Sequence, residues 1–113
     1  DPEVASVGAT LKQARASGAI VRSVDVEIGY VAGAAVQRDG YAGTARIVVD
    51  EDRGVLLGAT FAGPGVAELL QAATIAVVGE VPVDRLWHAV PAYPTMSEVW
   101  LNLLKAYFAD DVD

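Results

Sequence analysis

The chain has 113 residues, 53% of them hydrophobic, and a formal charge of −7. That length suits one domain with a core of its own, and the apolar excess points to a surface covered by a partner. Fifteen acidic against eight basic residues argue against a nucleic-acid surface, which needs clustered Lys and Arg, and the lack of cysteine excludes disulfides, thiolate metal sites and thiol chemistry within these residues.

The chain starts Asp1-Pro2-Glu3-Val4, without the basic start and apolar run of a signal peptide. A short strand is expected over 3–7, closed by Gly8. Thr10 is an expected N-cap for a helix through Ala16, with Leu11 and Ala14 on one face and Ser17-Gly18 at its end. Residues 19–28 are rich in β-branched side chains, and Ile20, Arg22, Val24, Val26 and Ile28 alternate, so a strand is predicted. Residues 30–43 carry Ala and Gly without a clear period, and Gln37-Arg38-Asp39-Gly40 reads as a turn.

The clearest strand pair follows. Residues 44–49 and 55–62 flank the polar turn Asp50-Glu51-Asp52-Arg53-Gly54, which predicts an antiparallel hairpin. Gly63-Pro64-Gly65 breaks the second strand and launches a helix over 66–78, whose apolar stripe is wider than one core face needs. Gly79 ends it. The apolar region 66–83 is interrupted by Glu68, Gln71, Glu80 and Pro82, so it is not read as a membrane span, which needs about 20 mostly apolar residues. Pro82 is expected in the first turn of a short helix to Ala89, with Val83, Leu86 and Trp87 inward. A final helix is predicted over 96–109, because Met96, Val99, Trp100, Leu103, Leu104, Tyr107 and Phe108 follow helical spacing. Strands first and helices last imply an α+β domain with an antiparallel β-sheet packed against helices.

The stretch Ala92-Tyr93-Pro94-Thr95-Met96-Ser97-Glu98 is the best candidate for chemistry. Glu98 has two readings. It completes a capping box with Thr95, or it is the orienting carboxylate of an acid–base pair. Tyr93 is a poor general base at neutral pH, since a phenol ordinarily titrates near 10, but it can donate a hydrogen bond or act as an acid. Its bland alternative is a half-buried aromatic. His88, the only histidine, reads as structural before catalytic. Gly63-Pro64-Gly65 lacks the basic partner of an anion site, so a turn is the better reading. The acidic turn at 50–52 lacks calcium-loop spacing and is expected to be solvated.

The chain also resembles a known family. The matching pieces run in order from Asp1-Pro2-Glu3-Val4-Ala5-Ser6-Val7-Gly8 through Gly40-Tyr41-Ala42-Gly43, Ala45-Arg46-Ile47-Val48-Val49-Asp50 and Leu56-Leu57-Gly58-Ala59. They continue with Ala62-Gly63-Pro64-Gly65-Val66-Ala67-Glu68-Leu69-Leu70-Gln71 and end at Tyr93-Pro94-Thr95-Met96-Ser97-Glu98. Together they resemble the C-terminal dimerisation domain of the pyridine nucleotide–disulfide oxidoreductases, the family of dihydrolipoamide dehydrogenase, glutathione reductase and mercuric reductase. The resemblance implies an FAD-dependent, NAD(P)H-linked enzyme that works as a homodimer, and the lack of cysteine suits a cytoplasmic protein. In such enzymes this domain forms much of the subunit interface and lends a histidine–glutamate pair to the partner's redox disulfide.

Two departures shape the expectation. Tyr93 stands where the family pattern has histidine, while Glu98 is retained, so Tyr93 and Glu98 are the candidate catalytic residues and a histidine base is not carried over. Mercuric reductases are similar here, with a tyrosine and a later glutamate, but their C-terminal cysteine pair has no counterpart in this chain. In addition, no glycine-rich dinucleotide fingerprint, redox cysteine pair or initiating methionine is present. The expectation is a single dimerisation domain over 1–113, a fragment of a longer flavoprotein that binds no cofactor itself and is inactive alone, with the FAD and NAD(P) domains elsewhere. The alternative is a stand-alone dimeric interaction module without a catalytic role.

Overall fold

The computed structural model describes residues 3–30, 42–89, 91 and 96–110. Its strands are β1 (Glu3–Gly8), β2 (Val21–Glu27), β3 (Thr44–Asp50) and β4 (Val55–Gly63). They form one sheet in the order β1-β4-β3-β2, and every neighbouring pair is antiparallel. The helices are α1 (Leu11–Ala16), α2 (Leu70–Val78), α3 (Val83–Leu86) and α4 (Val99–Asp110). The α+β class predicted from the sequence holds.

The hairpin at the sheet centre is set by its turn chemistry. The Asp50 carboxylate accepts from the amides of Asp52 (2.9 Å) and Arg53 (3.0 Å), and Gly54 takes the left-handed conformation at φ 67°. A bulge then interrupts the register: Val48 faces Gly58 while Val49 faces Leu56, which leaves Leu57 unpaired with β3. Its carbonyl accepts instead from Ala9, at 2.9 Å, as the chain leaves β1. That crossing is tight. A Cβ on Gly58 would lie 2.0 Å from the Ala9 carbonyl oxygen, so only glycine fits. Beyond it, Thr10 and Gln13 form a reciprocal capping box that starts α1.

The helical layer covers one face of the sheet. A 3-10 turn over Val66–Leu69 precedes α2, which packs on β4 and β1, while α4 packs on β2 and β3. Between the layers lie Ile47, Val49, Leu56 and Phe61 from the sheet and Leu69, Ala73, Val99 and Leu103 from the helical side, all 2% exposed or less. The inward stripe predicted for the last helix is present in full, from half-buried Met96 to Tyr107 and Phe108. The opposite face of the sheet is more polar, with Arg46 and Asp25 paired across β2 and β3 through two contacts of 2.6 and 2.9 Å.

Several expected boundaries move for local reasons. The strand predicted over 19–28 is shorter, because Ile28 opens a 3-10 turn, Ile28–Tyr30, while keeping its side chain fully buried. Pro82 is the N-cap of α3 instead of a residue in its first turn, with extended backbone (φ −60°, ψ 142°). Trp87, expected inward, is 39% exposed and meets Phe108 in a T-shaped contact, with ring centroids 5.8 Å apart. A helix of one turn buries one position, here Val83, and cannot bury the far side as well. The turn expected over 37–40 lies outside the described residues.

Phe61 is fully buried and meets Trp100 edge-to-face, with ring centroids 5.8 Å apart. Phe61→Ala is expected to cost about 3–5 kcal/mol. Val4→Ala, at a site 71% exposed, should change stability by no more than about 0.5 kcal/mol. Urea unfolding compares the two, and equal losses would contradict the assigned core.

Candidate functional site

The site expected from the sequence lies at the entrance to α4. Tyr93 and Thr95, the latter the expected N-cap, fall outside the described residues. Glu98 is described: it ends the 3-10 turn Met96–Glu98, is half-buried, and is engaged by another group instead of standing free. The next residues, Val99 and Trp100, are 0% and 9% exposed, so the backbone beside Glu98 is pinned by core packing. A carboxylate at this end of a helix also meets the positive end of the helix dipole.

Beside this turn lies an apolar pocket of about 200 Å³ between α2, α3 and α4. Among the described residues Ala72, Leu86, Ala89, Pro91, Trp100 and Leu104 line it, with the hydroxyl of Ser97, next to Glu98, as a polar group. The outer face of α2 continues the apolar surface. Ile75 and Val78 are 58% and 77% exposed. These residues belong to the stripe that the sequence marked as wider than a core face requires.

The far end of α4 is held by a cluster that the sequence did not reveal. Arg22 of β2 donates to the Tyr107 carbonyl at 3.0 Å, and its guanidinium stacks on the Tyr107 ring at 4.0 Å. The same guanidinium is ion-paired with Glu51 at 3.0 Å, and the Tyr107 hydroxyl donates to that carboxylate. Tyr107 is 4% exposed; burial first, then the hydrogen bond to Glu51, pushes its phenol up to about 12. The one sequence signal was an arginine at an inward position in a β-branched strand. The expectation that the acidic turn is solvated holds for Glu51 and Asp52, which are exposed, and fails for Asp50. Asp50 is 8% exposed and holds the turn, and Glu51 ties α4 to the sheet.

The other candidates carry less. His88 is exposed, on the surface with Asp84 and Trp87. Past the turn at Gly63-Pro64-Gly65, the Glu3 carboxylate accepts from the amide of Ala67, in the 3-10 turn Val66–Leu69, at 3.2 Å. Among the described residues no group of His, Asp and Glu side chains is placed to hold a metal ion. No helix among them is long and apolar enough to cross a membrane.

Comparison with known proteins bears out the resemblance. The family described as "Pyridine nucleotide-disulphide oxidoreductase, dimerisation domain" matches residues 1–104. The dihydrolipoyl dehydrogenase of Zymomonas mobilis is 36% identical over 111 residues, which cover 94% of this chain and 23% of that protein. The dihydrolipoyl dehydrogenase of Bacillus subtilis is 33% identical over 101 residues, covering 86% of this chain and 21% of that one. The chain thus spans about a fifth of the length of these relatives. Among solved structures, the HOCl-induced flavoprotein disulfide reductase RclA from Escherichia coli superposes with a TM-score of 0.82 at 25% identity, over 93% of this chain and 26% of its own. The NAD-dependent persulfide reductase from A. fulgidus shares the fold, with a TM-score of 0.84 at 17% identity, over 99% of this chain and 21% of its own.

The Tyr107 cluster gives stability a definite pH dependence. The unfolded phenol loses its proton near pH 10, and the folded one near 12. Between these values the unfolded state binds fewer protons, so stability is full below about pH 10 and falls as pH rises through 12. Tyr107→Phe is expected to cost about 1.5–3 kcal/mol near neutral pH, the range for a hydrogen bond to a charged group. Urea midpoints measured up to about pH 12 should show the gap between the two proteins closing above pH 10. A gap that stays constant would place the phenol's ordinary titration in the folded state.

Proposed function

The chain belongs to the pyridine nucleotide-disulphide oxidoreductase dimerisation-domain family, and on that premise we propose that it is the dimerisation domain of an FAD-dependent, NAD(P)H-linked oxidoreductase that works as a homodimer. The observation that carries the reading is the family match over residues 1–104, and the exposed apolar face of α2 supports it. In this reading the 113 residues form one domain of a longer cytoplasmic protein and have no redox activity alone. FAD and NAD(P)H are held elsewhere in that protein. The described residues do not fit a dinucleotide, since their sheet is antiparallel throughout and has no βαβ turn to cradle a pyrophosphate.

The domain's contribution to chemistry is the pair Tyr93 and Glu98, offered to the active site of the partner subunit. Tyr93 acts as a hydrogen-bond donor or acid, because a phenol is too weakly ionised near neutral pH to serve as the base that a histidine supplies. Glu98 orients it or caps the turn before α4. The half-buried, engaged state of Glu98 supports a positioned carboxylate in either role. The family's dihydrolipoyl dehydrogenases and disulfide reductases make a disulfide the first substrate class to test.

In the full-length protein, Tyr93→Phe and Glu98→Gln should leave flavin bleaching by NAD(P)H near the wild-type rate. Turnover with a disulfide acceptor should fall about a hundredfold, the scale of one lost acid–base group. Wild-type turnover in both variants would remove the pair from the mechanism. A purified full-length protein without flavin absorbance would favour a stand-alone dimeric module instead.

A further inference from the structure

We propose that Tyr107, gripped by Arg22 and Glu51, is a positioning residue for Glu98: the grip sets the rotation of α4 about its own axis and so aims the carboxylate that stands one residue before that helix. This role rests on the reading of Glu98 as a group offered to the partner subunit's active site, and it adds the device that holds the group in place.

Three observations converge on it. The first is direction. The Arg22 guanidinium lies 4.0 Å from the centre of the Tyr107 ring and donates to the Tyr107 carbonyl at 3.0 Å, while the phenol donates to the Glu51 carboxylate. Ring, hydroxyl and backbone of one residue are thus each held by a contact with its own geometry. The arginine also brings a cation into the last turn of α4, where the helix dipole is negative.

The second is anchorage. Both partners of Tyr107 stand on the sheet. Arg22 lies in β2, in register with Val49 of β3. Glu51 follows β3 directly, and its amide donates to the Ile20 carbonyl, just before β2, at 2.8 Å. The two side chains are paired at 3.0 Å. Strand ladders therefore set their places, independently of the helix they hold. A constellation built on regular elements keeps finer geometry than one built on loops.

The third is leverage. A helix with its side chains is about 10–12 Å across, so a rotation of about 10° moves a side-chain tip by about 1 Å. A misplacement of about 1 Å can cost about a hundredfold in rate, even when it originates far from the chemistry. Val99 and Trp100 anchor the start of α4 in the core, yet their apolar contacts carry no direction of their own.

The test is a double-mutant cycle in the full-length protein, read by turnover with a disulfide acceptor. In the wild-type background, Tyr107→Phe should lower kcat about tenfold, keep KM within about twofold, and leave flavin reduction by NAD(P)H near the wild-type rate. In the Glu98→Gln background the same change should lower kcat by less than about twofold, because the group it aims is already gone. Arg22→Lys keeps the charge and loses the planar fork over the ring, so it should repeat this pattern, and it reports in place of Tyr107→Phe if that variant does not fold. Equal losses in the two backgrounds, a slowed flavin reduction, or full turnover without the grip would overturn the positioning role alone. Wild-type turnover in Glu98→Gln would overturn the reading of Glu98 and this role with it.

Discussion

The structure depends on how the last helix is fixed to the sheet. α4 is pinned at both ends by unlike interactions. At its start, Val99 and Trp100 sink into the core, with Trp100 set edge-on against Phe61. Two turns later, about 10 Å along the axis, Tyr107 is gripped by Arg22 and Glu51. Apolar packing alone is non-directional and tolerates rotation about the helix axis. The cation on the ring, the bond to the carbonyl and the phenol on the carboxylate each have a direction, so together they fix that rotation. Glu98, one residue before α4, inherits its position from this arrangement.

Much of this was legible in the sequence, because the elements are locally consistent. The hairpin announced itself through β-branched runs around an acidic, glycine-ended turn, α1 through Thr10, and α4 through its unbroken helical stripe. What could not be read was set by residues far apart in the chain. The Arg22–Tyr107 contact spans 85 residues and leaves only an odd arginine in a strand as its trace. The bulge at Leu57 becomes intelligible once Ala9 is seen crossing over it. Trp87 was misplaced because hydrophobicity does not choose a face for a single helical turn. Of the candidate site, the sequence supplied Glu98, expected inside the first turn of a helix over 96–109 and found one residue before α4, and Tyr93 through the family pattern.

The two special regions of the domain, the turn before α4 and the open face of α2, meet at the same pocket. Ser97 and Trp100 line it from one side and Ala72 from the other. The exposed apolar side chains of α2, Ile75 and Val78, therefore stand on the same stretch of framework as the turn that carries Glu98, and the packing of Trp100 that holds this turn also shapes the pocket wall.

The bond from Glu3 to the Ala67 amide extends this coupling to the beginning of the described fold. β1 is an edge strand, hydrogen-bonded to β4 alone, and its first residue closes the start of the turn that leads into α2. The start of β1 is thus tied to the entrance of α2 in three ways: through the ladder with β4, through direct packing on the 3-10 turn and α2, and through this charge-assisted bond.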